Sequence, residues 1–266
     1  MKRQYVSFIF FVIIISISCN KTDKKSQSSD RNGYLTQSVL WYQHSGEMKA
    51  LYYQAYNTAK LMVDVYLKDS KSKIKKAVIV DIDETILNNV KYETWLILSD
   101  SQQSIYNWKQ WTNKADADTL PGALDFLKYA KNRGVEVFYV SNKWTADVAS
   151  SLKNLQKFNF PFADEQHMLF RTEKGSSKES RRKTIAKDFD IVLLCGDNLG
   201  DFSAAFDDRN EGRLCDSISK YKLLFGKKFI VMPNPMYGGW EKQIYGDGIF
   251  TERQRDSIRK DKLKGN

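Results

Sequence analysis

The run Asp81-Ile82-Asp83-Glu84-Thr85 follows directly on the apolar stretch Ala77-Val78-Ile79-Val80. A short apolar run bounded by polar residues has the pattern of a buried strand. One that ends in two carboxylates a residue apart sets both at the rim of a sheet, where open α/β sheets bind ligands. One carboxylate can attack phosphorus and the other can carry a proton, and a divalent cation lowers their mutual repulsion. The chemistry this spacing favours is phosphoryl transfer through an aspartyl-phosphate. Asp-x-Asp also occurs in calcium loops and helix caps, so the pair needs partners elsewhere in the chain.

Such partners are present. Val135 to Val140 is a second apolar run and ends in Ser141-Asn142, and Asp190 to Cys195 is a third, ending in Gly196-Asp197-Asn198-Leu199-Gly200-Asp201-Phe202. Between them Lys178 opens the basic helical stretch Lys178-Glu179-Ser180-Arg181-Arg182-Lys183. The order Asp-x-Asp-x-Thr, Ser, Lys, Gly-Asp-x-x-x-Asp resembles that of the haloacid dehalogenase superfamily of phosphohydrolases. Each residue type suits one part of the chemistry. Asp81 is the expected nucleophile, being ionised without help from a base. Asp83 is expected to protonate the leaving alkoxide and then take the proton of the hydrolytic water, because the first step leaves it in the form the second needs. Asp197 would complete a cation site with Asp81 and the backbone carbonyl of Asp83. Hard oxygen ligands of this kind suit Mg²⁺. Asp201, one turn later, would orient water held by that cation. Ser141 would donate its hydroxyl to a phosphoryl oxygen, Lys178 would balance the negative charge, and Arg181 would support the site.

Other phosphate chemistries lack their residues. The two histidines, His44 and His167, stand in no Arg-His-Gly-x-Arg pattern, no Cys-x5-Arg loop occurs, and no Gly-x-x-x-x-Gly-Lys-Ser/Thr loop occurs. No C-x-x-C pair offers a thiolate zinc site.

Strands alternating with helices imply a doubly wound, mainly parallel α/β sheet. Apolar residues at helical spacing from Thr36 to Asp69 read as two helices, or one broken near Gly46. Residues 88–119, rich in Trp and Tyr, are too long for a crossover loop and read as an insertion. With the N-terminal helices it is expected to form a helical cap over the strand ends. Helices are expected over Pro121 to Asn132, Ala146 to Phe158, Lys178 to Lys187, Arg213 to Phe225 and Thr251 to Lys264, with further strands at His167 to Phe170 and Lys228 to Met232.

The first residues read as an export signal: Lys2 and Arg3, then an apolar run from Val6 to Ile17 that is short of the roughly 20 residues of a membrane span. The run ends in Ser16-Ile17-Ser18-Cys19, which resembles a bacterial lipobox, with Ser16 where Leu is usual. Residues 1–18 are therefore expected to be a lipoprotein signal peptide, Cys19 the lipidated residue, 19–35 a polar tether and 36–266 the catalytic domain. Cys195 and Cys215 remain, and a bridge between them is permitted but not required. The net charge of +10 is spread along the chain without a compact basic run threaded with aromatics. It suits anionic small substrates rather than a nucleic acid polymer.

A closer resemblance is carried by Leu40-Trp41-Tyr42-Gln43, by Ala50 to Asn57, by Asp81 to Asn89, by Val140-Ser141-Asn142, by Gly196 to Phe202 and by Pro233 to Trp240. These stretches are similar to the class C acid phosphatases, bacterial outer-membrane lipoproteins that include 5′-nucleotidases. Lys143 and Gly200 depart from the family, which often has Arg and a polar residue there. The resemblance implies a haloacid dehalogenase-like fold, a Mg²⁺-dependent monoesterase acting on 5′-nucleotides and other small phosphate esters, and an outer-membrane location in the bacterial envelope. It also implies aromatic residues that hold a nucleoside base. By position these are Trp108 and Tyr237, with Tyr92, Trp95 and Trp111 as competitors, and Asn142 joins them in substrate binding. A phosphotransferase of the same fold, a silent nucleotide-binding lipoprotein and a homo-oligomer all stay open at this stage.

Overall fold

The computed structural model describes residues 31–172, 175–208, 210–246 and 248–265. The expected signal peptide, Cys19 and the expected tether up to residue 30 lie outside the described residues. Two helices, α1 (Thr36–His44) and α2 (Gly46–Asp69), precede the first strand, β1 (Lys75–Val80). The insertion after it begins and ends in a short antiparallel pair, β2 (Leu87–Asn88) with β3 (Asp118–Thr119), which encloses α3 (Val90–Leu98) and α4 (Ile105–Lys114). After α5 (Ala123–Asn132), strands and helices alternate: β4 (Val135–Trp144), α6 (Val148–Lys157), β5 (Met168–Arg171), α7 (Glu179–Ile185), β6 (Phe189–Gly196), α8 (Glu211–Tyr221) and β7 (Phe229–Val231). Two helices, α9 (Glu241–Tyr245) and α10 (Glu252–Lys262), follow.

The five long strands form one parallel sheet in the order β5-β4-β1-β6-β7. The chain leaves β1 towards β4 and β5, then returns to its other side with β6 and β7. The carboxyl end of β1 therefore sits at the switch in strand order, where a crevice opens. Side chains alternate across β1 as the pleat requires: Val78 and Val80 join the core under α2 and α5, and Ala77 and Ile79 join the core under α7 and α8. A bulge in β6 breaks the register, pairing Ala77 with Ile191 and Val78 with Leu193, so Val192 is the extra residue.

Ser45 separates the two N-terminal helices and caps α2, its hydroxyl accepting from Met48 N at 3.0 Å. Met48, Tyr52, Tyr56, Ala59 and Val63 recur at helical spacing and are buried, so this face of α2 lies on the sheet and on α5. The two N-terminal helices, both expected in the cap, have different neighbours. α1 packs on the insertion, against α3, whereas α2 packs on α5 and on β6 and β7 as a layer of the sandwich. The folded part also starts before residue 36: Asn32 donates its amide to Leu96 O and Ser101 O, both at 2.9 Å, and Leu35 is in the core. β4 continues through Ser141 and Asn142 to Trp144, which pairs with Arg171 of β5. Lys178 is the residue before α7 rather than inside it. Cys195 and Cys215 are both free thiols, buried and exposed respectively. Among the described residues no helix is long and apolar enough to cross a membrane.

Glu93 of α3 is buried, and among the described residues one of its carboxylate oxygens has no hydrogen-bond partner. Burial, aided by the charge of Glu241, pushes its pKa up to about 7. The folded state thus binds this proton more tightly than the unfolded chain. The stability it lends is full below the unfolded value and lost as pH rises through about 7. Glu93→Gln, which mimics the protonated form, is expected to match the wild type in denaturant unfolding at pH 4.5. At pH 8 it should be more stable by about 3 kcal/mol. Equal unfolding curves at pH 8 would contradict the burial argument.

Candidate active site

β1 delivers Asp81 to the rim, where its N–H still donates to Cys195 O at 3.0 Å and extends the β1–β6 ladder by one bond. The chain then turns sharply, with Glu84 at φ 52°, a left-handed conformation that costs a non-glycine residue about 1–3 kcal/mol. Four contacts hold it there. Glu84 N donates to Leu87 O at 2.8 Å, Asn89 N donates to the Glu84 carboxylate at 2.7 Å, Tyr52 donates to Glu84 O at 2.5 Å, and Tyr56 donates to Thr85 O at 2.6 Å. Both tyrosines rise from α2, so the helix laid on the sheet also braces the loop that carries Asp83.

Lys178 reaches the floor of the site. Its ammonium lies 2.5 Å from Asp81 Oδ1 and 2.6 Å from Asp201 Oδ1, and the lysine is almost wholly buried. Asp201 ends a 3₁₀ turn (Leu199–Asp201) and accepts from Asn198 N at 2.9 Å. Gly196 makes room for it, because a Cβ there would fall 2.2 Å from Asp201 Oδ2. Asp197 accepts from Asn198 Nδ2 at 2.7 Å, from Asn234 Nδ2 at 2.9 Å and from the Thr85 hydroxyl at 3.4 Å. Oxygens of Asp81, Asp197 and Asp201 all lie within 4.8 Å of one another. Burial pushes the Asp81 carboxyl up to about 7, with Lys178 opposing it. Burial, then the charges of Asp201 and Asp81, drives Asp197 well above the usual carboxylate range. Three crowded carboxylates facing one lysine form an electron-rich, oxygen-only set, and a hard divalent cation fits the deficit. Asp201 was expected to orient water held by the cation, and both its oxygens are engaged, Oδ1 by Lys178 and Oδ2 by Asn198 N.

Asp83 is held by two donors that sequence reasoning did not assign. Lys143 Nζ lies 2.7 Å from its Oδ1, and Asn89 Nδ2 donates to the same oxygen at 2.9 Å. Lys143 stands two residues after Ser141 on β4, hence on the same face, and that spacing was the available signal. Asn234 lay within the Pro233 to Trp240 stretch without being singled out.

A cavity of about 780 Å³ opens above these groups, and Asp81, Asp83, Ser141, Lys178, Trp108 and Tyr237 all line it. Of the competing aromatics, Trp111 donates its indole N–H to Asn89, Tyr92 is buried, and Trp95 stacks on Tyr92 outside the cavity lining. Trp108 meets Tyr92 edge-on at 5.1 Å and has the Lys143 ammonium 5.7 Å from its ring centroid. Asn142 also lines the cavity, but both ends of its amide are engaged. Its oxygen accepts from Arg181 at 2.6 Å and its nitrogen donates to Ser176 O at 2.9 Å. Asn142 thus ties β4 to the segment before α7, where direct substrate binding was expected. Arg181 also donates to Ser141 O, which gives it the supporting place foreseen.

A switch-point crevice with a strand-end Asp-x-Asp, a buried lysine and three clustered carboxylates has the form of a haloacid dehalogenase-type phosphohydrolase site. Residues 19–240 match the family model described as HAD superfamily, subfamily IIIB (acid phosphatase). The fold is similar to the class C acid phosphatase from Bacillus anthracis, with TM-score 0.84 and 38% identity over 89% of this chain and 99% of that one. With tungstate bound, the Bacillus anthracis enzyme gives TM-score 0.85 and 39% identity over the same shares. A stem 31 kDa glycoprotein of Glycine max is 25% identical over 166 residues, which span 60% of this chain and 58% of that relative. The chain belongs to the class C acid phosphatases of the haloacid dehalogenase superfamily and is a phosphoric monoester hydrolase.

Proposed function

We propose that this phosphatase is Mg²⁺-dependent and hydrolyses 5′-nucleotides, among other small phosphate monoesters, through a phosphorylated Asp81. The observation that carries the reading is the cluster of Asp81, Asp197 and Asp201, two of them paired with Lys178, at a cavity that Trp108 and Tyr237 also line. A carboxylate oxygen of Asp81 attacks phosphorus and the bond to the ester oxygen breaks. Asp83 gives its proton to the departing alkoxide. Asp83 then removes a proton from water, whose oxygen attacks phosphorus, and cleavage of the phosphorus–Asp81 bond frees phosphate and restores Asp81. Lys178 balances the charge of Asp81 and Asp201 through both steps, and Ser141 offers its hydroxyl to a phosphoryl oxygen. A divalent cation held by Asp81, Asp197 and Asp201 would supply Lewis-acid stabilisation of the phosphoryl charge. The aromatic walls suit a nucleoside base, because two rings lining a cleft bind flat heterocycles. Tungstate bound by the Bacillus anthracis enzyme, an oxyanion of phosphate-like charge and shape, accords with a phosphate subsite. We also propose export and lipid anchoring at Cys19 in the outer membrane, on the strength of the leader sequence.

The test is phosphate release from a 5′-mononucleotide by residues 20–266. EDTA is expected to reduce release to background and added Mg²⁺ to restore it. Turnover of an aryl phosphate but not of any 5′-mononucleotide would remove the nucleotide assignment, and full activity in EDTA would remove the metal. Mass spectrometry of the protein from membranes reads the acyl mass on Cys19.

A further inference from the structure

We infer that Asn89 is a positioning residue for Asp83, and that Trp111 of the insertion fixes Asn89 in the only orientation that can do this. Asn89 is almost wholly buried at the junction of β2 and α3. Its amide oxygen accepts from Trp111 Nε1 at 2.8 Å. An indole nitrogen only donates, so the oxygen must face Trp111 and the NH₂ group must face the carboxylates. There Nδ2 donates to Asp83 Oδ1 at 2.9 Å, and the Asn89 backbone N–H donates to the buried Glu84 carboxylate at 2.7 Å. Lys143 takes the same Asp83 oxygen at 2.7 Å. Among the described residues no hydrogen bond reaches Oδ2.

The consequence is a division of labour within one carboxyl group. Oδ1 is anchored by two donors, and Oδ2 is left as the atom that carries the proton to the leaving oxygen and takes it back from water. Trp111 belongs to α4, so the aromatic insertion contributes to the proton-transfer centre as well as to the cavity wall. Substrate contact is not required of either residue, and Asn89 and Trp111 both act through Asp83. This inference rests on the proposed role of Asp83 as general acid and base.

The experiment uses the full chain in detergent with Mg²⁺ and compares kcat/KM for 4-nitrophenyl phosphate with that for an alkyl phosphate. The ratio kcat/KM reports formation of the phosphorylated Asp81. An alkoxide needs a proton to depart, whereas 4-nitrophenolate departs without one. Asn89→Ala is expected to lower kcat/KM for the alkyl ester by about 10- to 100-fold, a part of what general acid catalysis supplies. The nitrophenyl ester should lose less than about threefold. Trp111→Phe, which keeps the ring bulk and removes only the N–H, is expected to show the same bias at smaller size, with an unfolding midpoint close to wild type. Equal losses on both esters in Asn89→Ala and Trp111→Phe would overturn the inference, since a merely structural role moves both alike. Asp83→Asn separates the two levels of the reading. If it shows no leaving-group bias, the role of Asp83 falls and this inference with it. If it shows the bias while Asn89→Ala and Trp111→Phe do not, only the positioning role falls.

Discussion

Asp81→Asn is expected to reduce phosphate release by on the order of 10⁴-fold or more, the scale on which loss of a nucleophile shows in enzymes that form covalent intermediates. A carboxamide is a poor nucleophile and cannot form the acyl-phosphate. It also withdraws one of the three carboxylates gathered within 4.8 Å, so affinity for a divalent cation should fall in the same variant. The amide oxygen still offers Lys178 an acceptor, so the fold should persist. The ladder bond from residue 81 N–H to Cys195 O does not involve the side chain. Steady-state phosphate release and capture of the phosphorylated protein by acid quench are the two readouts. Turnover within tenfold of wild type, or a phosphorylated residue other than Asp81, would assign the nucleophile elsewhere.

Lys178→Met is the second large effect, and it appears in stability as well as in rate. Lys178 is the shared cation of Asp81 and Asp201, at 2.5 and 2.6 Å, with almost no exposure to solvent. Removing one partner of a buried ion pair strands the other charge, at a cost of about 3–5 kcal/mol. Here two carboxylates are stranded. The loss should be seen in denaturant unfolding at neutral pH in EDTA, and it should shrink as pH falls and the Asp81 carboxyl, which burial pushes up, takes up its proton. Added Mg²⁺ should recover part of it, since a ligand that binds only the folded state stabilises by mass action. Turnover with Mg²⁺ should fall by about 10²- to 10³-fold, the scale for removing one preorganised stabilising group. Unchanged stability in EDTA would contradict a structural role for the Lys178 ion pairs.

The acid set was legible because its geometry is local. An apolar run that ends in Asp-x-Asp, Ser or Gly-Asp can place those residues only at the carboxyl end of a strand, and parallel strands bring their carboxyl ends to one edge. Ser141, Asp197 and Asp201 therefore arrive beside Asp81 and Asp83 whatever the loops between them do. The insertion was legible by its length and its aromatic content, and a break near Gly46 by the helical spacing of the apolar residues.

Partner choice was not legible, because it depends on packing between distant elements. Tyr92, Trp95, Trp108 and Trp111, the four aromatics of the insertion weighed for base binding, cannot be ranked by composition. Packing around Tyr92 and the bond to Asn89 turn Trp111 inward and leave Trp108 at the cavity. Asn142 was expected to meet substrate, yet its amide is engaged by Arg181 and Ser176 across the β4–β5 edge. The role of α2 was likewise hidden, because its buried stripe says only that one face is covered, and the sheet proved to be what covers it. What the sequence by itself determined is where the residues suited to the chemistry sit: Asp81 and Asp83 after one apolar run, Ser141 after a second, Asp197 and Asp201 after a third, and Lys178 before its helix. What only the tertiary structure decided is how that chemistry is held. Lys143 and Asn89 meet on one oxygen of Asp83, Tyr52 and Tyr56 brace its loop, and Asn234 steadies Asp197. The physical reason is that a hydrogen bond spans about 3 Å in space and any distance along the chain.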